Sequence, residues 1–149
     1  MGNFATDFEI VRISASVAAG TGTTDCTIVD MEGYDEVTFI CQLGVVTNNG
    51  VVTLHIGQFT ASTSASMVVS EATTGAITSD GTTIALTDKC LVITVTKPSY
   101  RYLEAQVVKA TQNAEIDSVI AILSKGRERP SVNGSTVYAE HVFASPAAA

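Results

Sequence analysis

The sequence predicts an all-β fold, a two-sheet β-sandwich of jelly-roll type with roughly eight strands and extended N- and C-terminal arms. Three observations carry that expectation. Thr, Val, Ala, Ser and Ile fill the 149 residues. Short runs alternate apolar and polar side chains between turn signals, as half-buried strands do. Helix is hard to place anywhere.

The elements follow in order. Val11, Ile13, Ala15 and Val17 share one parity while Arg12, Ser14 and Ser16 share the other, which predicts a half-buried strand. Gly20-Thr21-Gly22 then breaks the chain, and a short run follows around Cys26 to Val29. Asp35 opens a strand with Val37, Phe39, Cys41 and Leu43 on one face. Thr47-Asn48-Asn49-Gly50 tolerates positive φ and predicts a hairpin turn that returns Val51 to Phe59 beside that strand. Residues 60–66 offer no packing face and read as a loop. Met67 to Val69 reads as a short strand or one helical turn, and Asp80-Gly81 as a tight turn leading into Thr83 to Leu86. Leu91, Ile93 and Val95 alternate with Val92, Thr94 and Thr96 as far as Pro98, which cannot donate to a ladder and suits a strand end. Arg101 to Ala110 and Glu115 to Ser124 are predicted as two long strands joined by a tight turn at Gln112-Asn113. The second is apolar on both parities, as a central strand covered on both faces would be. Residues 1–7 are thus an N-terminal arm, 8–125 the sandwich and 126–149 an extended C-terminal arm.

Composition narrows the function. A chain of this length, 46% hydrophobic with a net charge of −7, can bury a core without disulfides or metals. No apolar run nears the roughly 20 residues of a spanning helix, and no signal segment opens the chain, so a soluble protein made and kept in the cytosol is expected. Cys26, Cys41 and Cys90 are an odd number at wide spacing, each in or beside a strand-like run, and read as buried reduced thiols. Through residue 88 the chain has ten acids and one base, and after it seven bases and five acids. An acidic body lacks the clustered basic footprint of a nucleic-acid binder, and leaves open either a solvated surface or an electrostatic docking role.

Reactive constellations are scarce. The histidines are His55, on the expected polar face of its strand, and His141 in the tail. No nucleophile elbow, phosphate loop, His-Glu-x-x-His or Cys-x-x-Cys occurs, so neither an enzyme nor a cofactor is expected. Asp30, Glu32, Asp35 and Glu36 carry oxygen ligands suited to Ca²⁺, but their spacing is not that of an EF-hand, and an acidic surface turn is the expected reading. Met1 to Thr6 fits the N-myristoylation pattern, which fixes only Gly2 and Thr6, and Asn133-Gly134-Ser135 fits a glycosylation sequon that requires secretion; neither is assigned.

Tyr100, Arg101 and Tyr102 form the one aromatic and basic cluster. Strand alternation predicts Tyr100 and Tyr102 together with Arg101 opposite. Either the tyrosines pack on a sheet face while Arg101 meets an acid, or the cluster anchors a protein interface, where Tyr and Arg are enriched. Phe4, the basic exit Arg127 and Arg129, and the spaced apolar residues Val137, Tyr138, Val142 and Phe143 complete the candidate interface, since disordered tails usually lack such bulky groups.

Pro98-Ser-Tyr-Arg-Tyr-Leu103, the Asn113 turn, Ile116-Asp-Ser-Val-Ile-Ala-Ile-Leu123 and Gly126-Arg-Glu-Arg-Pro130 together resemble a family of small structural proteins of tailed bacteriophages, similar to capsid decoration, or cement, proteins. The resemblance covers about a third of the chain. It implies a non-enzymatic virion protein on the capsid exterior, assembled in the host bacterial cytoplasm, with the major capsid protein and further copies of itself, as a homotrimer, for partners. It implies no direct nucleic-acid or membrane contact. A neck or tail component of the same particle and a glycan-binding adhesion module are the alternative readings; the absence of Trp weighs against the second.

Overall fold

The computed structural model describes residues 4–62, 69–126 and 133–139. One helical turn, Phe4–Asp7, leads into nine strands: β1 (Glu9–Ser14), β2 (Val17–Asp25), β3 (Val29–Asp30), β4 (Glu36–Val46), β5 (Val51–Phe59), β6 (Val69–Thr73), β7 (Ile77–Thr78), β8 (Cys90–Thr96) and β9 (Tyr102–Ser124). All pairings are antiparallel, and the chain is all-β, sandwich-like and nearly barrel-shaped.

The organising element is β9, a single strand of 23 residues. Two successive stretches of chain run along it from its end back to its start. On one edge lie β1, β2 and β3, from Glu9 opposite Leu123 to Asp30 opposite Tyr102. On the other lie β4 and β5, from Glu36 opposite Ser124 to Phe59 opposite Tyr102. β8 adds outside β4, while β6 and β7 add outside β5.

A flat sheet this wide would leave one face in water, and the side chains forbid that. Val37, Phe39 and Cys41 from β4, Val52 and Leu54 from β5, and Leu103, Val107 and Val119 from β9 are all fully buried and belong to one continuous cluster. The sheet therefore folds across its middle, where Thr47–Gly50 lies against Thr111–Asn113: the Thr47 N–H donates to Asn113 O at 2.9 Å. Thr111 has φ of 69°, in the left-handed region. The half holding β1, β4, β8 and the end of β9 thus faces the half holding β3, β5, β6, β7 and its start. At the open edge, the Thr27 N–H donates to Ile13 O at 2.9 Å and ties the two halves together. Burying one large aliphatic or aromatic side chain in such a core stabilises it by about 1.5–3 kcal/mol.

Several expected elements differ. The Gln112-Asn113 turn does not reverse the chain, so there is no hairpin there; the ladder merely slips, with register shifts between Gln42 and Leu43 and between Leu43 and Val46 on the facing strand. Likewise Asn48-Asn49-Gly50 makes a tight turn, with the Gly50 N–H on Thr47 O at 2.8 Å, but β4 and β5 both pair with β9 and not with each other. The expected first strand divides in two, with Ala15 exposed between β1 and β2, and Gly20 and Gly22 sit inside β2 at register shifts instead of ending it. Thr83 to Leu86 is not a strand. Asp80 holds this segment as a loop, its Oδ1 accepting the backbone N–H groups of Thr82 and Ile84, both at 2.8 Å. Val69 opens β6, and Met67 lies outside the described residues. The alternating β8, its end before Pro98 and the central place of Glu115 to Ser124 are as expected.

Candidate binding cleft where two ladders join

β3 pairs with the start of β9 in one half of the fold, and β4 with β8 in the other. The connecting loops, 31–35 and 97–101, continue the same antiparallel register between them. The Met31 N–H donates to Arg101 O at 2.8 Å, and the Lys97 N–H donates to Asp35 O at 2.7 Å. Between these two bridges the loops bow apart, and the opening is a cleft of about 410 Å³ lined by those ten residues.

Each wall is held in place locally. Gly33 has φ of 84°, a conformation natural to glycine, and lets the first loop turn outward; the Tyr34 N–H closes that turn on Met31 O at 3.0 Å. The second loop hangs on one side chain of β5: Gln58 Oε1 accepts the backbone N–H groups of Ser99 at 2.8 Å and Tyr100 at 3.2 Å. Lys97, a non-glycine residue at φ of 49°, makes the turn out of β8. Such backbone strain persists only where the surroundings over-determine it. Met31 is buried beneath the cleft, while Tyr34, Pro98 and Tyr100 are half-buried in its walls.

Arg101 clamps the rim. Its Nε and Nη2 donate to the two carboxylate oxygens of Asp30, both at 2.8 Å, and Nη2 also reaches Glu32. The guanidinium lies over the Tyr102 ring, 5.1 Å from its centroid, a cation–π arrangement. The Arg101 hydrogen bond holds the Asp30 carboxyl below its ordinary value of 3.8, and the same pairing raises the arginine. Arg101 therefore meets acids, as one of the two expectations held. It does not stand opposite the tyrosines, because residues 99–101 form a bend ahead of β9, where strand alternation does not operate.

The acidic stretch is neutralised from within the chain. Asp30 and Glu32 serve Arg101, and Glu36 pairs with Lys125 Nζ at 2.9 Å, which lowers its carboxyl below 4.5. No group of three or more His, Cys, Asp or Glu side chains able to hold a metal occurs among the described residues. His55 on β5 stands opposite Gln106 on β9, its Nδ1 lying 3.1 Å from Gln106 Oε1. Cys26 and Cys41 are buried, and burial pushes both thiols up to about 12; Cys90, contrary to expectation, is exposed at the start of the outermost strand.

The remaining candidate residues do not converge on the cleft. Phe4 is half exposed and stacks on Phe8 with ring centroids 4.8 Å apart. In the C-terminal arm, residues 133–139 return to the free edge of β1. Asn133 Oδ1 accepts the Ile10 N–H at 2.6 Å and Thr136 Oγ1 accepts the Arg12 N–H at 3.1 Å. Val137 is half-buried there and Tyr138 is wholly exposed. Arg127, Arg129, Val142 and Phe143 lie outside the described residues. Sequence reasoning missed Tyr34 and Gln58. The one available signal was Gly33-Tyr34 between acids, a turn with an aromatic at its tip, and nothing in the sequence marks Gln58 as a loop anchor. No protein-family model and no curated protein matches the chain.

Proposed function

We propose that this chain is a non-enzymatic structural protein of a tailed-phage particle that decorates the outer surface of the capsid and stabilises it. The observation that carries the reading is how the C-terminal arm is held. Among the described residues it covers the free edge of β1 with two side-chain acceptors, and beside them it presents a wholly exposed Tyr138. An edge strand is a natural template for a partner strand, and an exposed tyrosine is a common interface anchor. A sandwich of this kind clamps neighbouring shell subunits through such an edge or arm. The resemblance of Pro98 to Leu103, Ile116 to Leu123 and the basic exit to phage structural proteins points the same way. Co-sedimentation with capsids lacking the protein is the test: binding in hundreds of copies per particle supports decoration, about a dozen copies assigns a neck or tail ring, and no binding removes the reading.

A further inference from the structure

We propose that the cleft between residues 31–35 and 97–101 binds a single neutral saccharide ring. The proposal goes beyond the capsid role and does not depend on it.

The shape comes first. Bridges at Met31–Arg101 and Lys97–Asp35 close the opening at both ends. A polypeptide or nucleic-acid strand needs a groove it can run through, whereas this cleft admits a compact group end-on. Its volume of about 410 Å³ lies within the range of small-molecule sites.

The walls come next. Gln58 fixes two successive amides of one loop, and the Arg101 fork on Asp30 with its contact to Glu32 fixes the other. Little conformational freedom is then left to lose on binding, the condition under which a small ligand gains affinity.

The chemistry selects the ligand. Tyr34 and Tyr100 line the cleft from its two walls, and aromatic rings are surfaces against which the C–H face of a pyranose can pack. Of the charged lining residues, Glu32 and Asp35 carry acceptor oxygens, while Lys97 and the one Arg101 nitrogen not used on Asp30 or Glu32 carry donors; these four side chains have no net charge, which suits hydroxyls that are both donors and acceptors. A phosphate or sulfate group requires an excess of cations that the cleft does not have.

The test is titration of the ¹⁵N-labelled full chain with the methyl glycosides of glucose, galactose and N-acetylglucosamine. Saturable amide shifts confined to residues 31–35, 97–101 and Gln58 are expected with at least one of the three. Tyr100→Ala should weaken that sugar about tenfold and Tyr100→Phe less than about threefold, with the thermal midpoint kept. Ser99→Trp, which fills the open mouth from an exposed position, should abolish the shifts and serves if Tyr100→Ala unfolds. Absence of saturable shifts at those amides, or a response that Ser99→Trp leaves intact, overturns the proposal. Neither result bears on co-sedimentation with capsids, so the two readings fail separately.

Discussion

The side chain of Asn133 accepts the backbone N–H of Ile10 at 2.6 Å, joining the C-terminal arm to the first strand across 123 positions of chain. With the Thr136 contact it makes the arm part of the folded body as well as a projection from it. A typical intramolecular hydrogen bond contributes about 0.5–1.5 kcal/mol. Deleting residues 131–149 should therefore leave the sandwich folded but less stable by about 1–3 kcal/mol in urea unfolding, and should sharply weaken capsid co-sedimentation. A truncated chain that binds capsids as well as the parent would move the interface off the arm.

Phe39 is the largest of the fully buried side chains among the described residues and belongs to the core cluster that both halves of the sheet share. Phe39→Ala should cost about 3–5 kcal/mol by the lost transfer energy and the cavity left behind. Val92, 55% exposed on the outermost strand, should tolerate alanine within about 0.5 kcal/mol. Chemical denaturation of the two variants compares the sites directly.

The turn at the fold line has no room for a side chain. A Cβ on Gly50 would stand 2.8 Å from Thr47 O and 3.1 Å from Val46 Cγ1, and the first of these is backbone that cannot swing away. Gly50→Ala should destabilise by about 1–3 kcal/mol, the range for forced overpacking. The same change at Gly75, where a Cβ meets nothing within 4 Å, leaves only the strain of its φ of 71° and separates crowding from backbone conformation.

Acid should destabilise the protein modestly through three carboxylates. Asp30 is held below 3.8 by Arg101, Glu36 below 4.5 by Lys125, and Asp80 below 3.8 by the Thr82 and Ile84 N–H groups. A carboxyl whose folded pKa is depressed contributes stability that is present above its unfolded value and lost as pH falls through the folded one. Stability should be level from about pH 7 to pH 5 and fall below about pH 4. Arg101→Gln should lower stability at neutral pH and lose its effect at low pH, where Asp30 is protonated. Urea titrations across this pH range show whether the two curves converge.

Thiol chemistry should distinguish the three cysteines. Cys90 is exposed, while Cys26 and Cys41 combine burial with thiols pushed up to about 12. The thiolate is the reactive form. An aromatic disulfide reagent at pH 8 should therefore titrate one thiol per native chain and three in denaturant. Cys90→Ser should abolish the native reaction.

The sequence made the fold class legible because alternation is a local property: Val37, Phe39, Cys41 and Leu43 show their shared face without any knowledge of their partners. It hid the topology because a bulge and a hairpin look alike in one dimension. Inward-facing residues along β9 are odd-numbered from Leu103 to Lys109, even at Ala114 and Ile116, and odd again from Val119 to Leu123. Those parity changes are register slips, and beside Gln112-Asn113 they read as a reversal. The cleft was half legible. Tyr100 and Arg101 were visible as an unusual pair, but their opposite wall at residues 31–35 is brought there only by a register running through both halves of the sheet.

That five strands pair with β9 also fixes the order of events during synthesis. β1 to β5 all lie N-terminal to β9, and the ladder that aligns them is not complete until residue 124 has left the ribosome. Until then the nascent chain holds apolar strands without their central partner, a slow and aggregation-exposed interval for a topology of distant pairings. Folding of the sheet thus waits on β9, and a ribosome stalled before β9 emerges should carry a chain that proteases digest throughout.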